Sequence, residues 1–253
     1  MSHTPPDALS RSRLVLGDAA LQRLSDSRII LFGTGGVGSW CAEALIRTGA
    51  RRLTLVDFDH VAPSNINRQM PATAKTVGRL KVEAAAERLL DINPSADIVA
   101  IAQPFNAATA DSFRLQDYDY VIDAIDSLPD KALLIRRATA TRAVLFSSMG
   151  AARKVNPLRA AVAEFWKVKG CPLAAALRRR FTKEDQFPAR KFRCVYSDEQ
   201  PRPNQTTAEE TGRVNGSLVC VTAVFGFTLA SLVVNDVLAR TEEDLEAGKG
   251  KEG

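Results

Sequence analysis

The hydrophobic positions along this chain change period in a regular order. Residues 28–32, Arg-Ile-Ile-Leu-Phe, are a compact apolar run of strand length, and a glycine-rich turn comes next. Residues 39–47 then carry apolar positions at helical spacing, with Gly49 placed as a left-handed cap. Residues 53–56 return to a strand pattern, which completes a βαβ unit of about 30 residues. A second helix is predicted over 77–90, with Asn93-Pro94 as its stop. Strands over 98–101, 120–124 and 143–147 alternate with a helix over 129–141. Such alternation predicts an α/β fold of Rossmann-like type, a mostly parallel sheet with helices on both faces.

The regularity stops after Gly150. Residues 159–165 read as a strand and 172–181 as a basic helix. Residues 183–215 are charged and rich in Pro and Gln, which predicts a long mobile loop. An apolar stretch over 217–238 reads as a buried helix, with room for a short strand before it. The charged tail from Thr241 is expected to fray. With a short amphipathic helix over 13–24, the chain divides into an N-terminal arm (1–27), a nucleotide-binding core (28–150), a basic region (151–216) and a closing helix (217–240). These form one domain over 1–240, and 241–253 is a flexible tail.

Composition narrows the classes. The chain is 45% hydrophobic and 25% charged, ordinary for a soluble globular protein. No apolar run is read as approaching the roughly 20 residues that cross a bilayer. The polar start is neither a secretory nor a transit signal. Four cysteines, Cys41, Cys171, Cys194 and Cys220, form no C-x-x-C pair, which argues against a thiolate zinc site and a disulfide framework and for a reducing cytoplasm. The formal charge of +5 is compatible with a polyanionic partner.

The candidate chemistry begins at Gly33-Thr34-Gly35-Gly36-Val37-Gly38, a G-x-G-x-x-G turn between a strand and a helix. Its glycines admit a phosphate close to the backbone, and the helix start supplies N–H donors. Asp57 ends the next strand, where an acid can bond ribose hydroxyls. The turn alone fits NAD, a methyl donor or ATP. The residues beyond the second strand separate these ligands: Asp57-Phe58-Asp59, Ser64-Asn65-Ile66-Asn67-Arg68-Gln69, Lys81, then Asp123-Ala124-Ile125-Asp126-Ser127. Hydride transfer has no general need for these cations and late acids. A triphosphate does, because charge develops on its leaving group and a carboxylate must hold Mg²⁺.

These residues resemble the ubiquitin-activating-enzyme-like superfamily that includes the ThiF, MoeB and HesA proteins. Its pattern is GxGGxG, a strand ending in D-x-D, S-N-x-x-R-Q, a lysine on the next helix and D-x-x-D-[NS]. All are present in order from Arg28 to Ser127. The resemblance implies that Gly33, Gly35, Gly36, Gly38, Asp57, Asp59, Ser64, Asn65, Arg68, Lys81, Asp126 and Ser127 line an ATP site. Within it Asn65, Arg68, Lys81 and Asp126 act on the triphosphate, and Asp126 coordinates Mg²⁺. Arg11 matches an N-terminal arginine that reaches the partner subunit's γ-phosphate, which implies a homodimer whose site is completed in trans. Asp123 reads as a structural acid and Cys41 as a core residue.

Within the superfamily the chain resembles the tRNA threonylcarbamoyladenosine dehydratase group. The resemblance runs on through Cys171-Pro172-Leu173-Ala174, Val195-Tyr196-Ser197 with Glu199, and Val221-Thr222-Ala223-Val224-Phe225-Gly226-Phe227. It implies ATP-dependent cyclisation of threonylcarbamoyladenosine beside the tRNA anticodon, through carboxylate adenylation. Lys167, Lys169, Arg178, Arg179, Arg180, Lys183, Arg190, Lys191 and Arg193 are the candidate tRNA contacts. Phe181, Phe187, Phe192 and Tyr196 interleave with them and fit either base stacking or the core. Some relatives carry a cysteine where Thr211 stands here, so a thioester mechanism is not supported. His3 and His60 are not placed to activate Cys194 or Cys220. The alternatives are adenylation of the C-terminal glycine of a ubiquitin-like sulfur carrier, an NAD-linked oxidoreductase, and a catalytically silent scaffold. A sulfur-transfer partner protein is a further option, and no membrane partner is expected.

Overall fold

The computed structural model describes residues 8–205 and 215–249; Thr211, His3 and the last four residues lie outside them. Its centre is a seven-stranded sheet in the order β3-β2-β1-β4-β5-β7-β6. The strands are β1 (Arg28–Phe32), β2 (Arg52–Val56), β3 (Asp97–Ile101), β4 (Tyr120–Asp123), β5 (Val144–Ser148), β6 (Ala160–Glu164) and β7 (Arg193–Ser197). Every pairing is parallel except β6 with β7. β1 and β4 are buried almost throughout, as expected for strands covered on both faces.

The helices are α1 (Ser10–Asp26), α2 (Gly38–Thr48), α3 (Lys81–Ile92), α4 (Leu128–Thr139), α5 (Pro172–Glu184) and α6 (Val219–Lys249). One face of the sheet carries α1, α2, α3 and α6 over a core that includes Leu31, Leu45, Leu89 and Phe225. The other carries α4 and α5 over Phe32, Ile135, Leu177 and Phe181. The strand order reverses between β1 and β4. In open α/β sheets this reversal leaves a crevice at the carboxyl ends of the two strands, and the glycine turn lies there.

Local chemistry explains several boundaries. Gly49 caps α2 with φ +121° and donates to Leu45 and Ile46. The helix expected over 77–90 begins only at Lys81, because Gly78 holds φ +86° and Leu80 bridges to His60. α1 is longer than its apolar pattern and is broken at Gly17, where φ is +75°. The predicted loop over 183–215 contains β7, a buried strand inserted between β5 and β6. Residues 241–249, expected as a frayed tail, continue α6.

Contrary to the expectation from sequence, α6 is long and apolar enough to cross a membrane: the stretch Val219–Ala247 contains a window of mean hydropathy 1.8, 56% of it buried. Packing accounts for that apolarity. Val221, Phe225, Leu229 and Val233 face the core. A side chain at Gly226 would strike the Val37 carbonyl at 2.4 Å, so α6 lies directly on the start of α2.

Candidate functional site

The glycines of the turn divide into two kinds. At Gly33, with φ +88°, a Cβ would lie 2.7 Å from the Ala124 carbonyl oxygen; at Gly38 it would lie 1.9 Å from the Gly33 oxygen. These two allow β1, β4 and α2 to close on one another. Beside Gly35 the nearest atom to such a Cβ is the Gln69 amide nitrogen, at 3.9 Å. Gly36 lies between the Arg68 stem and Thr222, each 3.3 Å away. Gly35 therefore leaves a bare floor to the groove, and Gly36 lies under those two side chains. No side chain caps α2, and although the Ser39 N–H is taken by the Gly35 carbonyl at 3.1 Å, the positive end of the helix faces any anion bound there.

Asp57 ties the turn to β2. Its Oδ2 accepts from the Thr34 N–H at 2.7 Å and the Thr34 hydroxyl at 3.0 Å, and its Oδ1 accepts from the Asp59 N–H at 2.9 Å. Carboxylate oxygens accept more than one bond, so these contacts leave room for a ribose hydroxyl. Lys81 opens α3 with its N–H on the Asp59 carbonyl at 2.9 Å, and its Nζ donates to Asp59 Oδ2 at 2.7 Å. The lysine side chain is 8% exposed and the aspartate 52%, so the pair has a buried base and a wet tip.

The segment from Ser64 to Gln69 folds over the groove. Asn65 is buried, and its side-chain oxygen accepts from Ala62 at 3.0 Å. Arg68 Nη1 donates to the Ser64 carbonyl at 2.8 Å and to Asn67 Oδ1 at 2.9 Å, while the Arg68 carbonyl accepts from the Trp40 indole at 3.0 Å. Gln69 ends the sequence motif, which gives it no role. It is buried beside Gly35, and its Oε1 has no partner among the described residues.

Across the groove, Asp123 and Lys131 form a fully buried ion pair at 2.9 Å. The Ser147 hydroxyl donates to Asp123 at 2.6 Å, the Ile125 N–H donates to it at 3.1 Å, and Lys131 donates to the Ile125 carbonyl at 2.9 Å. Asp123 is thus a fixed internal acid, and its cluster holds the 124–127 turn in place. Asp126 stands on that turn, exposed and without a hydrogen bond or ion pair among the described residues. Ser127 donates to Asp130 at 2.6 Å at the start of α4. No cluster of three metal-ligating side chains occurs among the described residues. A lone carboxylate beside a phosphate groove still suits Mg²⁺, which takes most of its ligands from phosphates and water.

Arg11 does not join this group. It is exposed on the first turns of α1, and Leu9 packs over Gly49 at the far end of α2. An 11-residue helix separates that end from the glycine turn by about 16 Å.

The basic candidates also lie apart from the groove, and their states differ. Arg190 donates to the carbonyls of Thr139 and Ala143, each at 3.0 Å, and to that of Thr141, so its guanidinium clamps backbone. Arg178 reaches the Phe165 carbonyl at 3.2 Å, and Arg180 pairs with Glu184 at 2.7 Å. Arg193 lies over the Phe146 ring at 5.1 Å. Lys167, Lys169, Arg179, Lys183 and Lys191 are exposed. Of the interleaved aromatics, Phe181 and Phe192 are core, whereas Phe187 is open. Burial pushes the thiols of Cys41 and Cys194 up, away from the reactive thiolate. Cys220 is exposed.

The chain resembles characterised proteins along nearly its whole length. Residues 9–248 match the model of the ThiF family. The tRNA threonylcarbamoyladenosine dehydratase of Bacillus subtilis (strain 168) is 38% identical over 192 residues, 76% of this chain and 75% of that protein. The Escherichia coli (strain K12) protein of the same name is 36% identical over 244 residues, covering 88% and 91%. The crystal structure of the E. coli enzyme with AMP matches at TM-score 0.86 and that with ATP at 0.85, each 32% identical and covering 96% of this chain and 98% of that one. The chain belongs to the ThiF family.

Proposed function

We propose that this protein is an ATP-dependent tRNA threonylcarbamoyladenosine dehydratase, acting in the cytoplasm as a homodimer. The observation that carries the reading is the groove at the β1/β4 switch point. Gly35 leaves its floor bare, Arg68 lies over Gly36, Lys81 is held by Asp59 at the start of α3, and Asp126 is exposed on the turn after β4. Around it the fold matches that of a relative crystallised with both ATP and AMP.

ATP is a substrate in this scheme. The carboxylate of the threonylcarbamoyl side chain attacks the α-phosphorus, forming the acyl–adenylate bond as the bond to pyrophosphate breaks. A nucleophile tethered on the same modified nucleoside then closes on the acyl carbon, and AMP leaves. The net change in the nucleoside is loss of one water. A carboxylate is a poor electrophile until its oxygen belongs to a good leaving group, and tethering makes the second step intramolecular. Hence no enzyme nucleophile is required, in keeping with the two buried, high-pKa thiols.

Each side chain has a part. The N–H groups at the start of α2, with Gly35 and Gly36, receive the phosphates. Asp57 takes the ribose, with Asp59 fixing Lys81 beside it. Arg68 and Lys81 balance charge that grows on the α-phosphate and departing pyrophosphate. Asn65 and the unpartnered Gln69 oxygen orient the ligand and its water. Asp126 holds Mg²⁺, which when bound screens the triphosphate. Arg11 of each subunit serves the other's groove, consistent with its distance from its own. Lysines and arginines of the C-terminal half hold the tRNA.

Incubation with Mg-ATP and tRNA bearing the open modification, then mild digestion and mass spectrometry of nucleosides, tests this. The expected product is lighter by one water and appears with AMP. An unchanged nucleoside in the presence of ATP-bound protein would discard the assignment.

A further inference from the structure

At the far edge of the sheet an exposed aromatic pair stands on a buried aromatic base. Phe165, Phe181 and Phe192 are all but fully buried, with Phe165 stacked on Phe192 at 5.0 Å and edge-on to Phe181 at 5.8 Å. Trp166 packs edge-on against Phe165 at 5.1 Å, and Phe187 lies 6.2 Å from Trp166. Those two outer rings are 43% and 49% exposed. The Trp166 indole N–H makes no hydrogen bond among the described residues. Arg178 braces the base by lying 5.8 Å over Phe165 and bonding its carbonyl. Trp166 thus stands on a packed aromatic base, and Phe187, in the segment between α5 and β7, lies against it.

The surrounding charge selects the partner. From Trp166 to Arg193 the chain carries nine Lys or Arg and only two acidic residues, a formal charge of +7 against +5 for the whole protein. The entire positive excess of the molecule therefore lies in the stretch that presents these rings. A protein-docking patch needs no such excess, whereas cations beside open aromatic faces are the pattern that holds unpaired nucleotides, phosphates on the charges and bases on the rings.

Position excludes the reacting nucleoside as the occupant. Trp166 comes just after the last residue of the antiparallel strand β6, so it lies at the end of the sheet opposite Gly33. Four strand spacings and one strand length place it about 25 Å from the glycine turn.

We propose that Trp166 and Phe187 form a stacking platform for unpaired bases of the same RNA, distant from the nucleotide being modified. The platform positions the RNA while the groove does the chemistry. This rests on the RNA-modifying function proposed for the groove, and its test separates the two. Trp166→Ala and Phe187→Ala should each raise KM for tRNA about tenfold, leaving KM for ATP and kcat at saturating tRNA unchanged. Trp166→Phe, which keeps a ring, should stay close to wild type. In a parallel measurement, a short oligoadenylate should quench tryptophan emission of the native protein, a matching RNA duplex should not, and the quench should vanish in Trp166→Phe, where only Trp40 remains. Unchanged KM for tRNA in both alanine variants of an active enzyme would overturn the platform and leave the function standing. Equal quenching by an acidic peptide would overturn it in favour of a protein partner. Loss of the oligoadenylate quench in Trp166→Phe, with a native protein that never dehydrates the nucleoside, would uphold the platform and discard the function.

Discussion

Two lysine–aspartate pairs flank the groove at nearly equal separations, 2.7 Å for Lys81–Asp59 and 2.9 Å for Lys131–Asp123. They differ in what else can reach them. Neither side chain of the second pair is exposed, and Ser147, the Ile125 N–H and the Ile125 carbonyl complete its bonding. The first pair opens to solvent on the Asp59 side. A closed pair has its charge fully balanced and serves to hold the backbone between β4 and α4. A half-open pair keeps a cation in register at a wet groove, where a phosphate can share it. The same chemistry thus gives a scaffold on one side and, in the proposed function, a reagent on the other, and exposure separates the two.

The largest effect is expected at the closed pair. Lys131→Met leaves Asp123 buried without a counter-charge, and loss of one partner of a buried pair costs about 3–5 kcal/mol. Thermal or urea unfolding of Lys131→Met should show a fall of that order, largely recovered when Asp123→Leu is added. No change in stability would mean that the turn is held by its glycine contacts alone.

The half-open pair should give the opposite signature. Lys81→Ala and Arg68→Ala should lose about 10²–10³ in turnover, as removal of a donor to transition-state charge does, while unfolding midpoints move little. Rates near wild type in both would remove their phosphate roles. Arg11→Ala sharpens the point in trans. Mixed dimers of Arg11→Ala with Lys81→Ala subunits should regain about half the activity of the native dimer, because one of the two grooves then has both groups. Arg11→Ala alone should be as slow as Lys81→Ala, and no regain after mixing would show that Arg11 acts within its own chain.

The smallest effect concerns the distal basic surface. Neutralising Arg178, Arg179 and Arg180 together should weaken tRNA binding and flatten its salt dependence by up to about three counterions. Arg190→Ala should instead lower stability, since its guanidinium is engaged by three carbonyls. A filter-binding salt titration beside an unfolding curve checks both.

The legibility of the fold in the sequence divides along the same line, between local and long-range contacts. From β1 to β5 each element carries its own hydrophobic period or glycine cap, so local sequence locates it even where its partner is remote, as β4 is for β1. β7 escapes this because only Cys194, Val195 and Tyr196 are apolar within a basic stretch, and its burial is imposed by β5 and β6, remote in sequence. The end of α6 looks like a tail because residues 242–247 are exposed, yet Glu, Ala and Leu are good helix formers and extend a helix already anchored in the core. At the candidate site, Arg68, Lys81 and Asp126 are singled out by motif spacing alone. The unpartnered state of Gln69 and the Lys131 counter-charge are not, since each depends on three-dimensional burial. Arg190 shows the converse: a cation that looked available is committed to backbone carbonyls.

The most direct test is a crystal structure of the chain with ATP. The triphosphate should lie across Gly35 and Gly36, with Arg68 and Lys81 within hydrogen-bonding distance of its oxygens and Arg11 entering from the partner subunit. A dinucleotide in that groove, or ATP bound elsewhere with the groove left free, would contradict that placement.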